Sequence, residues 1–356
     1  VTALNLSLLT ANTPSTSGSY TFSVTRDQII RQMMLDIGAL QEGEVPTAQE
    51  TTDCAFKLNM MVKQWMSNTD FAPGLKVWTR KRADLFLSPT QYTYQLGATS
   101  PDNWVESTSN LSFPQQYGQT NVAATVAAGT TVIPVASVAQ VSINDYFGIL
   151  IGGTIFWTTA VAINAAANPP TVTIPAPGLP SGVQASGATY VWNYTTKGIR
   201  PVVLVSCILR DIYANDTPIR IFRTVEEYEA LPTKTSQQNV ADPTAVFYEA
   251  RFTTQNPSGR IFLDVGGAQD VTKHLHCVYL AAVQDFVNPG DAPDYPQEWY
   301  EPLVWGLGKR CCGMFDCAWS PDMEQCYVDS LAIAKQGYPQ ESSVYFQVEA
   351  DDPYGP

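Results

Sequence analysis

The chain is short of charge, of histidine and of long apolar runs. Only 15% of its 356 residues are charged, and the balance is acidic, with 33 Asp and Glu against 20 Lys and Arg. A basic nucleic-acid-binding surface is therefore not the default reading. No apolar stretch approaches the roughly 20 residues that a membrane-spanning helix needs. Val1–Val24 holds no basic segment leading into an apolar core, so it does not read as a secretory signal. There is no phosphate-cradling glycine loop, no G-x-S-x-G and no H-E-x-x-H. Nothing in the chain reads as catalytic, so no enzymatic activity and no cofactor are expected.

Paired metal-ligand spacing is also missing. The cysteines are Cys54, Cys207, Cys277, Cys311, Cys312, Cys317 and Cys326, an odd set of seven. The last four group loosely, but they contain no Cys-x-x-Cys and span two expected helices, which argues against zinc. Most fall on apolar faces, where free cysteine behaves as a small hydrophobe. That pattern fits folding in a reducing compartment. The two histidines, His274 and His276, stand two apart on one face of an expected strand. No third ligand is placed beside them, and they read as surface or subunit contacts rather than a metal site.

What the chain does have is two pairs of helices, one near each end. Thr25 and Gln28 have capping-box spacing ahead of Ile29, Ile30, Met33, Met34 and Ile37, with Gly38 following. This predicts a helix over 25–37. Thr47 and Glu50 repeat the spacing before Cys54, Leu58, Met61, Val62 and Trp65, which predicts a second helix over 48–66. A two-helix hairpin buries too little surface to stand alone and needs a partner. The other strong helical signals come late. Trp299, Leu303, Leu307 and Cys311 mark a helix over 296–317. Ser320-Pro321 opens another over 321–336, with Met323, Cys326, Tyr327, Leu331 and Ala334 along one side. The expected core of the four-helix assembly is Ile29, Met33, Ile37, Leu58, Met61, Trp65, Trp299, Leu303, Leu307, Tyr327 and Leu331.

Between the helical ends the chain is β-rich. Short strands are expected at Lys76–Trp78, Leu85–Leu87 and Thr90–Leu96, and a meander at Val202–Leu209, Pro218–Arg223, Ala245–Thr253, Gly259–Val265 and His274–Val283. Val225–Leu231 reads as a short helix. Lys76, Arg80, Lys81 and Arg82 form the basic cluster, read as a solvated strand end or subunit contact. From Thr120 to Tyr194 the texture changes to Val/Ile/Thr/Ala runs separated by turn clusters, as in a small barrel or sandwich. Asp145 is the single carboxylate in that stretch, so a glycosidase acid pair is missing. Strands Thr90–Leu96 and Val202–Leu209 would be neighbours if the intervening chain were cut out. Residues 97–198, with a core at 120–194, therefore read as a domain inserted into a loop.

The fold class expected is thus α+β: a discontinuous helical bundle from both chain ends on an antiparallel β body, with an inserted all-β domain. The divisions are an extended arm at 1–24, the discontinuous domain at 25–96 plus 199–340, the insert at 97–198 and an extended tail at 341–356. In that tail Val344, Phe346 and Val348 alternate with polar residues and Tyr345, ahead of Glu349, Asp351 and Asp352.

The hairpin (TRDQIIRQMMLDIGAL…ETTDCAFKLNMMVKQWM), the late pair (PQEWYEPLVWGLGKRCC…SPDMEQCYVDSLAIAKQGY) and the acidic tail together resemble the head-to-tail adaptor proteins of short-tailed bacteriophages. The resemblance covers roughly 25–96 and 199–356. It rests on arrangement, and the arm and the insert depart from the family's shorter members. It implies a virion protein at the phage neck, made in the host cytoplasm and assembled as a homo-oligomeric ring of about twelve copies. Such a ring joins the portal protein to the tail nozzle and to fibre or spike proteins. DNA passes through without specific binding, and no membrane is involved. A net charge of −13 suits a channel that must not hold phosphates. The resemblance places portal contact on the tail, at Val344, Tyr345, Phe346, Val348, Glu349, Asp351 and Asp352. The competing expectation is a receptor- or glycan-binding tail component acting through the inserted β domain.

Overall fold

A computed structural model describes residues 22–67, 80–107, 115–185, 189–250, 258–267 and 270–336. The protein is α+β with a mostly β body, and it divides into two compact units: 1–75 with 284–356, and 76–283. Among the described residues no helix is long and apolar enough to cross a membrane.

In the first unit, α1 (Arg26–Asp36) starts at Thr25, and the capping box closes in both directions. Gln28 N–H donates to Thr25 Oγ1 (3.3 Å) and Thr25 N–H to Gln28 Oε1 (2.9 Å). The same reciprocal bonds join Thr47 and Glu50 at the start of α2 (Ala48–Ser67). These bonds satisfy N–H groups that a helix start leaves orphaned. A 3-10 turn (Gln297–Trp299) leads into α3 (Tyr300–Cys311), and Ser320 caps α4 (Pro321–Gln336). The helix expected to run to residue 317 stops at Cys311. Turns continue from Cys312, through Gly313, to Asp316 at φ +56°, a left-handed conformation that no helix continues.

Helix α3 is the centre of this unit. Leu303, Leu307 and Cys311 are buried on it, and Cys311 Sγ lies 3.9 Å from Cys54 Sγ of α2. Trp299 is fully buried against Trp65, ring centroids 5.8 Å apart. Two glycines let the neighbours approach. A Cβ on Gly306 would lie 2.9 Å from Met61 Sδ, 3.0 Å from the Trp65 ring and 3.2 Å from the Tyr327 ring. One on Gly308 would lie 3.0 Å from Ile37. The early and late parts of the chain are also laced by hydrogen bonds. The Asn59 amide exchanges two bonds with the Phe286 backbone, and Arg26 donates to Val287 O (2.8 Å).

The second unit is built on a nine-stranded sheet. In chain order its strands are β1 (Arg80–Phe86), β2 (Thr93–Leu96), β3 (Trp104–Ser107), β11 (Thr196–Lys197), β12 (Pro201–Arg210), β13 (Asp216–Phe222), β14 (Ala245–Glu249), β15 (Gly259–Leu263) and β16 (His274–Ala281). Across the sheet they run β11-β3-β1-β16-β12-β13-β14-β15-β2. This is not the expected meander. The chain from 223 to 244, which carries helix α5 (Val225–Glu229), returns to the same end of the sheet, so β14 pairs with β13 in parallel. Strand β16 then closes between β1 and β12. The expected neighbours 90–96 and 202–209 are far apart as well: β2 pairs with β15 at one edge, while β12 is central.

Residues 118–194 form two smaller sheets around one core. The strands are β4 (Gly118–Asn121), β5 (Val132–Pro134), β6 (Tyr146–Ile151), β7 (Thr154–Thr159), β8 (Ala162–Asn164), β9 (Thr171–Thr173) and β10 (Tyr190–Tyr194). They are ordered β4-β10-β6-β7 and β5-β9-β8 about Ile133, Val135, Phe147, Ile149, Val172 and Val191. The flanking segments belong to the large sheet instead. Trp104 of β3 is fully buried in the large sheet's apolar core and donates to Ile199 O (3.0 Å). Replacing 97–198 by a short Gly/Ser linker therefore removes two sheet strands and a core tryptophan. Circular dichroism on that variant should show no cooperative melt.

Glycine at 306 generates a second prediction. Gly306→Val forces three packed side chains apart and is expected to cost about 1–3 kcal/mol, read as a lower denaturant midpoint. An unchanged midpoint would mean that the helices are not in close contact at α3.

Candidate functional site

The sequence-derived candidates divide sharply. Val344, Tyr345, Phe346, Val348, Glu349, Asp351 and Asp352 lie outside the described residues, as does the arm over 1–21. The helical candidates Ile29, Met33, Ile37, Leu58, Met61, Trp65, Trp299, Leu303 and Leu307 are buried in one unit. Tyr327 and Leu331 are only half-buried, because α4 presents Ala334 as its one buried described apolar side chain. Of the basic cluster, Lys76 lies outside the described residues, and Lys81 is ion-paired with Glu106.

The helical unit leaves apolar side chains on its surface. Phe56 and Met60, four apart on α2, are 67% and 58% exposed, and Ile333 on α4 is 65% exposed. Between α1 and α3 runs a groove of about 610 Å³, with Phe22, Tyr300, Val304 and Trp305 among its walls. Its charged walls are Asp36 and Glu301, with Arg31 beside them. Burial, together with the Glu301 charge, pushes the Asp36 carboxyl above its usual range, partly offset by a hydrogen bond from Gln32. A groove of this kind suits protein contact, and it holds no nucleophile paired with a base.

The histidines are not on the surface. His274 is 1% exposed and His276 6%, and both face the layer formed by 118–194. Strand register explains why. Asp84 stands opposite His276, and Phe86 opposite His274, so these side chains share one face of the sheet. His276 Nδ1 donates to Asp84 Oδ1 at 2.6 Å, and Gln116 N–H donates to Asp84 Oδ2 at 3.3 Å. The Tyr117 hydroxyl is hydrogen-bonded to His274 Nε2 at 3.1 Å, with the two rings edge to face. Around this polar layer Phe86, Val105, Trp192 and Tyr194 close an aromatic seam with Trp157. The missed partner, Asp84, had a sequence signal: it is a lone carboxylate among Ala83, Leu85, Phe86 and Leu87. Tyr117 and Gln116 gave none, since they come from a non-periodic segment.

Asp84 is fully buried and already hydrogen-bonded. Among the described residues no group of three or more His, Cys, Asp or Glu is arranged to hold a metal ion. Asp145 is likewise structural. It is fully buried and accepts from Ser142 N–H, Asn193 Nδ2 and Thr195 Oγ1, which ties a turn to β10. All seven cysteines are free thiols, five of them buried.

The sequence matches no protein-family model and no curated protein.

Burial makes the polar layer sensitive to acid. Desolvation lowers His274 to about 4; the nearby Asp84 charge opposes the shift, while Arg210 and His276 reinforce it and Asp216 opposes it. The unfolded chain takes up that proton near pH 6.5, so it binds more protons than the folded chain between the two values. Stability is full above pH 6.5 and falls by about 3 kcal/mol as the pH drops to 4. Thermal melts of the wild type and of His274→Gln across this window should converge toward pH 4. Parallel curves would remove His274 as the source. Asp84→Ala leaves His276 unpaired and should cost about 3 kcal/mol at neutral pH.

Proposed function

We propose that this protein is a structural virion component, an adaptor ring joining the portal at the capsid vertex to the tail nozzle and fibres and forming part of the DNA channel. The observation that carries this reading is the helical unit. Helices from both ends of the chain lie in one compact unit, which supports the discontinuous bundle that the resemblance implies. The helical unit displays Phe56, Met60 and Ile333 outward and keeps an aromatic-walled groove between α1 and α3. Exposed apolar patches rimmed by polar residues mark protein contact. A ring needs two different patches on each subunit, one to give and one to receive.

The stretch 118–194 is read as an appendage inserted into the host body, displayed at the ring's periphery to hold fibres or spikes. Its one carboxylate is used internally, which supports a binding or structural role over hydrolysis. The tail is the portal contact, adding Val344, Phe346 and Val348 to a partner's pocket or sheet edge in strand-addition mode. Its acids make the contact sensitive to salt.

Two measurements test the reading. Native mass spectrometry or negative-stain averages of virion necks should show a closed ring of about twelve copies; three-fold, fibre-like averages would overturn it. A chain stopped at Gln340 should remain folded but fail to join portal-containing heads. Normal particle yield from that chain would remove the tail as the docking element.

A further inference from the structure

Cys207 and Cys277 stand directly opposite each other where β12 pairs with β16. Opposed residues of an antiparallel pair have Cα atoms about 4.5–5.5 Å apart, inside the roughly 4.4–6.8 Å that a disulfide spans. Their sulfurs are 2.9 Å apart, so closing to a bond of about 2.05 Å needs a shift of about 0.9 Å. The sulfurs of Cys54 and Cys311, by contrast, are 3.9 Å apart. Cys207 and Cys277 are both buried in the apolar core of the large sheet, in one cluster with Leu209, Leu275 and Tyr279.

The position of the pair gives a link there a structural consequence. Strand β12 shifts register against β16 at Pro201/Val203 and again at Leu204/Ser206, then runs regularly from Ser206 to Arg210. Pairing with β13 also begins at Cys207. Cys207 is thus where an irregular strand becomes a regular one, paired on both sides. A slip of one residue there would turn every following side chain to the other face of the sheet. His276 and His274 stand opposite Ile208 and Arg210 in the regular stretch, so the register that joins the cysteines also sets the histidines. A covalent link between 207 and 277 fixes that register.

Chemistry decides when the link forms. The hydrogen bond to Cys207, together with burial, holds the Cys277 thiol well above its usual range. The thiolate is the reactive form, so the pair persists as thiols under reducing conditions and reacts slowly elsewhere. Burial also favours a small oxidant.

We infer that Cys207 and Cys277 form a cross-strand disulfide when the chain meets hydrogen peroxide outside a reducing environment, and that the link locks β12 onto β16. One sulfur attacks a peroxide oxygen: the S–O bond forms, the O–O bond breaks, and the hydroxide released takes the thiol proton and leaves as water. The product is a sulfenic acid. The second sulfur attacks the first: the S–S bond forms, the S–O bond breaks, and the second thiol proton leaves in a second water. The two thiols together lose two electrons, and the peroxide is reduced to water. The inference rests on strand register and sulfur geometry and is independent of the adaptor reading.

The test treats the purified full-length protein with hydrogen peroxide, removes the excess with catalase, blocks remaining thiols with iodoacetamide in denaturant and maps tryptic peptides by mass spectrometry. Trypsin leaves Cys207 in peptide 198–210 and Cys277 in peptide 274–309, each without another cysteine. The expected result is these two peptides joined, lighter than their sum by two hydrogen atoms and separated by dithiothreitol. Recovery of both as alkylated thiols, oxidation to sulfinic or sulfonic acid without a link, or linkage to any other cysteine overturns the inference. Thermal melts give a second reading. Oxidised wild type should melt about 4 °C or more above the same sample in dithiothreitol, and Cys207→Ala should lose that difference. Equal midpoints in the wild type, or the same shift in Cys207→Ala, would overturn the lock.

Discussion

Strand β16 is paired on both sides and buried on both faces, and the larger unit is arranged around the demands that this makes. One face carries Leu275, Cys277, Tyr279 and Ala281 into the apolar core of the sheet. The other carries His274 and His276 under the layer formed by 118–194. Imidazoles in that position need partners, because a buried polar group without one costs several kcal/mol. Asp84 partners His276, Tyr117 partners His274, and Gln116 N–H holds Asp84 in turn, with the aromatic seam packed around them. The polar layer and the seam together dock the smaller sheets on the large one.

The helical unit answers a different constraint. Its first hairpin cannot hold itself together, so it depends on α3, which arrives from the far end of the chain. Close approach there needs small residues, and α3 places glycine at both 306 and 308 where α2, α1 and α4 come nearest. Having spent its apolar residues on this contact, the unit still leaves Phe56, Met60 and Ile333 outside. In the proposed ring these side chains would be covered by neighbouring subunits.

No part of the described protein brings together a nucleophile, a base and an accessible cavity. Carboxylates that could have been catalytic are consumed in structure, Asp145 in a turn and Asp84 beneath the aromatic seam. What remains open is of another kind, a groove between helices.

Local signals were legible in the sequence. Both capping boxes, the Ser320-Pro321 start and the apolar stripes follow from contacts three or four residues apart, which the chain specifies by itself. So do the short runs of 118–194, whose strands alternate with evident turns. The partnership of strands was not legible. Whether Thr93–Leu96 lies beside β12 or β15 depends on a parallel crossover that no local pattern encodes. The fate of the histidines was decided at the same level. Two residues apart, they necessarily share a face of β16, and that much is covalent geometry. What surrounds them there was decided only when Asp84, Phe86 and Tyr117, more than a hundred positions away, came to that face. Long-range packing chose their environment, and an environment is not a property of the residues that sit in it.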